Sequence, residues 1–381
     1  MTISRNYISS ILLLVTAVIG VGMFALPYVA TKAGLLSVLA FFIALGFVQH
    51  WLHKIYAEII LSTKQMHRLP GYAEKYLGKK SKKIVLLLSL LGGYGAMLVF
   101  TIVGGEFLYR LLNPLWGGGV ILYTIALLLI RAAIMFMGFR WVTKAEVVLT
   151  GGLIGTILIV ASLASKHGSM VDVALFNPDH FILAYGPVFF AVGGMVVIND
   201  ICILLKNEQE KIKSALFWGL VVSISLMVLF VIIIISLSGG QTSPDALSGL
   251  EPYVSFITYG ILLIIGLTAS TTSFLATGEA LEELYMWDFN ISPKMAWLLV
   301  VPVPLILYMA EAHDLTKTVA LVGAMSGGLL GAITLLIALK VKKKPERKSI
   351  INNKLTPLLA RTVAIVFVIG LFYQLWEIFG T

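Results

Sequence analysis

Apolar residues in this chain gather into long runs separated by short polar segments. Eleven runs can be read, at roughly 8–31, 36–62, 84–110, 118–139, 145–165, 180–205, 213–238, 252–285, 295–310, 316–340 and 357–379. A run of about 20 apolar residues, rising 1.5 Å per residue, crosses a hydrocarbon layer ~30 Å thick. The pattern predicts an all-α, polytopic membrane protein. The run at 295–310 is the shortest, and Pro302 and Pro304 interrupt it. The first run is too long for a cleaved signal peptide.

Two runs carry helix-breaking residues where a spanning helix should be most regular. Span one reads VIGVGMFALP, with Gly20, Gly22 and Pro27, and span six reads YGPVFFAVGGMVVIND, with Pro187, Gly193 and Gly194. An odd offset of five spans inverts topology. Residues 1–165 and 180–340 are therefore expected to be inverted halves of one transport domain, with 357–379 an added helix. A break in lipid strands backbone polar groups at several kcal/mol each, unless protein, water or ligand satisfies them. Amides freed near Val21, Gly22 and Met23 would open an outer half-helix and suit a carboxylate. Carbonyls freed near Thr16 to Ile19 would suit a cation or an ammonium group. A lone Gly-x-Gly marks close helix packing more often than a site. The second interruption, at the inverted position, favours a site.

Composition agrees with the pattern. The 381 residues are 59% hydrophobic and 12% charged, too few charges for a soluble surface. Placing the N-terminus inside puts 21 Lys and Arg on inner segments and four on outer ones. That asymmetry predicts a cytoplasmic N-terminus and an extracytoplasmic C-terminus in the cell membrane. The net charge of +9 lies in short loops suited to an anionic leaflet, so nucleic acid is not the expected partner. A single cysteine, Cys202, excludes an internal disulfide or cysteine metal cluster. Neither a nucleophile–base pair nor a phosphate loop appears, so no enzyme is expected. A monomer is compatible with the sequence, which does not fix an oligomeric state.

VIGVGMFALPYVATKAGLL, LPGYAEKYLGKKSKKI, FFAVGGMVVINDICILLKNEQEKIKSA and VALVGAMSGGLLGAITLLIAL occur in that order. Together they resemble the amino acid/auxin permease and aromatic amino acid permease branches of the amino acid–polyamine–organocation superfamily. The resemblance implies a LeuT-type 5+5 inverted repeat with an eleventh transmembrane helix, and secondary transport of amino acids by alternating access. By position it implies substrate contacts from Ile19, Gly20, Val21, Gly22 and Met23, and from Phe189, Phe190, Ala191, Gly193 and Gly194. Tyr94 of span three is a further candidate. Met23, Phe189 and Phe190 suggest a neutral, hydrophobic or aromatic amino acid as the imported solute.

Span eight crowds hydroxyls at Thr268, Ser270, Thr271, Thr272 and Ser273, each able to bond a carbonyl one turn back. The resemblance implies a sodium site from Ala269, Thr272 and Ser273 with the carbonyls of Thr16 and Ile19. Proton-coupled members of the resembled superfamily can place a span-five lysine in the sodium position; span five here holds none past Lys144, so the resemblance favours Na+ over H+ as coupling ion, and no other cofactor is expected. Asp200 is a gating or proton candidate. Lys54 and Glu58 read as a snorkelled pair, Arg131 as a snorkelled anchor, and Glu279, Glu282 and Glu283 as facing the cytoplasm. GAMSGGLLG of span ten reads as close packing. The competing readings are a proton-coupled symporter, a non-transporting amino acid sensor on the same fold, a channel and, last, an intramembrane enzyme.

Overall fold

The computed structural model describes residues 4–137, 155, 174–310, 314–347, 349, 351, 353 and 355–379. Span five, expected at 145–165, lies outside the described residues. Among them the secondary structure is helical; nine of the eleven expected spans are long and apolar enough to cross a membrane, counting the bent first span as one, and the ninth in sequence appears as a shorter apolar segment. Span one is broken into α1 (Arg5–Ile19) and α2 (Gly22–Ala33), bent by 48°. Then follow α3 (Leu35–Ser62), a short α4 (Leu69–Leu77), α5 (Lys79–Trp116) and α6 (Val120–Met137). Span six is broken into α7 (Tyr185–Ala191) and α8 (Ile198–Leu204). Beyond it come α9 (Ile212–Ser238) and α10 (Phe256–Phe289). Span nine divides into α11 (Pro293–Val300) and α12 (Pro302–Met309), as its prolines suggest. Span ten joins α13 (Leu315–Gly323) to α14 (Leu330–Lys343) through a π-helical turn at Ala324–Leu329, and α15 (Pro357–Phe379) closes the chain.

Local chemistry sets several of these limits. The side chains of Ser4, Ser255 and Asp314 accept from the backbone N–H groups of Tyr7, Thr258 and Lys317, capping α1, α10 and α13. Gly34, at φ 89°, turns the chain between α2 and α3, a conformation that a Cβ disfavours.

The predicted alternation of loops is visible in which segments meet. Ser4 bonds Glu208 and Tyr7 bonds Ser214; Glu346 accepts from the Lys64 backbone and pairs with Lys75. Those basic loops therefore share one end of the molecule, called the basic end below. At the other end Leu36 N–H donates to the Leu175 carbonyl and Asn177 N–H to that of Ala33. Span one starts at the basic end and span six at the opposite end, so the two broken helices run antiparallel.

Three expectations about charges need correction. Arg131 is fully buried rather than snorkelled, because three oxygens from α5 and α10 receive its guanidinium. Glu58 turns from Lys54 to Asn353, whose side-chain amide donates to it at 2.7 Å. Glu283, expected to face the cytoplasm, is instead held in a largely buried ion pair with Arg68. The basic segment between spans two and three is also more than a loop, since it forms α4.

Candidate functional site

The two breaks face each other across a cavity of about 250 Å³. From span one it is lined by Ala17, Val18, Gly20, Val21 and Gly22, and from span six by Phe189, Phe190, Gly193, Gly194, Met195 and Val196. Helix α5 adds Ser89, Gly92, Gly93, Ala96 and Phe100, and α10 adds Ser273, Thr277 and Leu281. The cavity reaches toward the basic end, where Tyr56, Arg68, Leu69 and Pro70 bound it. At the other end small residues bring helices together. A Cβ on Gly22 would lie 2.9 Å from Ala191 Cα, and one on Gly186 2.3 Å from the Ala320 carbonyl oxygen.

The breaks leave backbone groups without partners. In span one Gly20 N–H still reaches the Thr16 carbonyl, and Phe24 N–H the Val21 carbonyl. Among the described residues, the amides of Val21, Gly22 and Met23 find no acceptor, and the carbonyls of Ala17, Val18 and Ile19 find no donor. In span six Gly194 adopts φ 111°, and the chain resumes as a single 3-10 turn before α8. The sense of the polarity is set by geometry: donors lie at the start of α2, acceptors at the end of α1.

Several expected residues line the cavity: Gly20, Val21, Gly22, Phe189, Phe190, Gly193 and Gly194. Ile19, Met23 and Ala191 are packed in the core beside it without lining it. Tyr94 does not line it either. Its hydroxyl lies 3.0 Å from that of Tyr285 and donates to the Leu299 carbonyl, so it ties α5 to α10 and α11.

Around the expected cation ligands the hydroxyls differ. Thr272 donates to the carbonyls of Ala269 and Thr268 in its own helix. The buried Ser273 Oγ has no partner among the described residues, and a Cβ on Gly20 would sit 2.7 Å from it. Ser273 thus faces the break of span one, beside the acceptors left at the end of α1. The Thr16 carbonyl is already engaged by Gly20. Asp200 lies on α8 outside the cavity lining.

Other site features were not anticipated. Arg68 donates from Nε to Glu283 at 2.9 Å and from Nη1 to the Val196 carbonyl at 2.6 Å, joining the segment before α4 to spans six and eight. It stands among seven basic residues of one segment, and nothing local in the sequence separates it from them. The π-helical turn of span ten puts Ser326 and Gly327 on the cavity wall, with the Ser326 hydroxyl reaching back to the Val322 carbonyl. Gly327 also packs on Phe189, so the packing expected of GAMSGGLLG and the cavity wall coincide. Gln49 of α3 lines the cavity too; a lone amide inside an apolar span was its signal.

Broken antiparallel helices enclosing a mid-chain cavity, in a chain of repeated apolar spans, define a multi-pass membrane transporter. The solved structure of MhsT in complex with L-phenylalanine superimposes with a TM-score of 0.71 at 15% identity, covering 99% of both chains. The LeuT-type fold is therefore present. A sequence model of the tryptophan/tyrosine permease family matches residues 3–377, and the chain belongs to that family. It is thus an amino acid permease and not an enzyme. The "Tyrosine-specific transport system 1" of Haemophilus influenzae is 24% identical over 306 residues, 75% of each chain. The "Vacuolar amino acid transporter 2" of Saccharomyces cerevisiae is 28% identical over 104 residues, 27% of this chain and 21% of the yeast protein. The match thus spans about a fifth of that relative's length. An amino acid transporter family is as the sequence suggested, while the auxin-permease branch finds no support in these matches.

Proposed function

We propose that the chain imports a neutral amino acid with an aromatic side chain by alternating access, driven by a Na+ gradient. The observation that carries this reading is the set of unpartnered amides at Val21, Gly22 and Met23 facing the break of span six. A substrate carboxylate satisfies donors at a helix start, where the dipole favours negative charge. The substrate ammonium meets neutral acceptors, because the cavity wall carries no Asp or Glu among the described residues. Phe100, Phe189 and Phe190 give an apolar wall, and Gly92, Gly93 and Gly327 leave room for a ring. The family, and the names of the tyrosine and phenylalanine proteins above, favour an aromatic side chain.

Sodium is favoured by the orphaned Ser273 Oγ beside the acceptors at the end of α1. A hard cation takes such oxygens, with Ala269 and Thr272 adjoining on α10. The basic end faces the cytoplasm in the cell membrane, as the Lys and Arg asymmetry favours. Release on that side then requires Arg68 to part from Glu283 and the Val196 carbonyl.

Uptake of labelled L-tyrosine, L-tryptophan and L-phenylalanine into proteoliposomes, with Na+ and proton gradients imposed separately, tests the reading. Accumulation with an inward Na+ gradient alone is expected. Accumulation only with a proton gradient would transfer the coupling to H+. Binding without accumulation under either gradient would make the protein a sensor and overturn transport.

A further inference from the structure

The cavity wall contains one amide side chain among the described residues, Gln49, contributed by α3, a helix unbroken in this fold. Gln49 is 2% exposed, and its Nε2 lies 3.0 Å from Nε2 of His53, one turn further along. His53 is itself fully buried, wedged where both breaks meet. A Cβ on Gly194 would lie 3.6 Å from its Cε1 and 2.8 Å from Val18 Cγ2. With the amide nitrogen facing the ring, Nε2 accepts and the neutral imidazole carries its proton on Nδ1, which like the amide oxygen has no partner among the described residues. In this arrangement the amide oxygen is turned away from the ring. That Oε1 is buried and has no partner among the described residues.

An orphaned buried acceptor is destabilising, and such groups are few in native folds. None of its neighbours donates to it: span one presents Leu14 and Val18 here, and span six presents Gly193 and Gly194. A zwitterionic substrate supplies one. Its carboxylate is matched by the amides of α2, and its ammonium carries three N–H groups that no carboxylate in the wall can receive. We propose that Gln49 is a substrate-contacting residue whose Oε1 accepts a hydrogen bond from the substrate ammonium, and that His53 is its positioning residue. Recognition of the amino group then involves the second span as well as the two broken ones. The inference rests on the transporter reading above and assigns one further contact within that cavity.

The test compares L-tyrosine with 3-(4-hydroxyphenyl)propionate, which keeps the carboxylate and ring but lacks the amine. Dissociation constants are measured by calorimetry on the full chain in nanodiscs. Gln49→Leu is expected to weaken L-tyrosine roughly tenfold or more, the scale of a hydrogen bond to a charged group, while leaving the desamino compound unchanged. Gln49→Met, longer and flexible, replaces it if Leu lowers the yield of folded protein. His53→Gln can still accept from the Gln49 amide and keeps the discrimination. His53→Leu loses it, whereas a merely structural His53 would lower the melting temperature without changing the ratio of the two affinities. Unchanged L-tyrosine affinity in Gln49→Leu and Gln49→Met, or equal loss for both compounds, overturns the proposal. If the unmodified protein binds neither compound, the transporter reading itself has failed instead.

Discussion

At the scale of single residues, two buried side chains separate structure from coupling. Arg131 has no carboxylate within reach among the described residues; it spends its donors on the Phe100 carbonyl, Ser270 and Thr271 and lies over the Phe274 ring. Its planar fork spans acceptors on two helices in a fixed geometry that the compact ammonium of lysine does not reproduce. Arg131→Lys is therefore expected to cost about 1.5–3 kcal/mol, the scale of a lost hydrogen bond to a charged group, read as a lower melting temperature in detergent. A wild-type melt would show that the fork is not needed. Ser273 is the opposite case, a buried hydroxyl with no partner among the described residues, placed where the proposed cation would bind. Ser273→Ala should leave the melt nearly unchanged and abolish stimulation of uptake by Na+. Full stimulation in that variant would remove the basis for the sodium site.

At the scale of elements, the breaks were legible and their neighbours were not. Gly20, Gly22, Gly193 and Gly194 marked both interruptions, because glycine and proline weaken a helix wherever they fall inside an apolar run. The candidate contacts on spans one and six lie in or beside the cavity wall for that reason, but spacing could not say which side chains point inward. Tyr94 shows the limit: its span was right, and its hydroxyl turned to Tyr285. The π-helical turn at Ala324–Leu329 was hidden because a one-residue change of register leaves the apolar pattern intact. Gly194 holds φ 111° beside Val18, Leu14 and His53. Gly194→Ala should therefore strain the break by about 1–2 kcal/mol and weaken substrate affinity. Wild-type affinity in that variant would mean that the break does not depend on the left-handed turn.

At the scale of the whole molecule, apolar run length gave the spans and basic residues gave the sharing of ends. Arg68 and Gln49 escaped because what surrounds each lies far away in sequence, Glu283 for one and the cavity between the two breaks for the other. The loops at the basic end are tied by carboxylates that titrate low. The Lys64 backbone N–H and then Lys75 hold Glu346 below the usual range, and Lys211 and then Ser4 do so for Glu208. A depressed folded value stabilises above the unfolded pKa and is lost as pH falls through the folded one. These ties should thus be intact from pH 8 to about 5.5 and release below the ordinary carboxylate pKa of about 4.5. Proteolysis of the 344–355 segment, compared between wild type and Glu346→Gln, reads this directly. Equal susceptibility at pH 7 would show that the tie contributes nothing.

The claim on which everything else stands is that backbone donors and acceptors released at two antiparallel breaks receive a zwitterion. A cryo-electron microscopy map of the protein in nanodiscs with L-tyrosine tests it most directly. The predicted map has the carboxylate against the amides of Val21 to Met23 and the ammonium turned toward Gly193 and Gln49. A ligand seated elsewhere, or spans one and six continuous through residues 18–24 and 190–195, would contradict it.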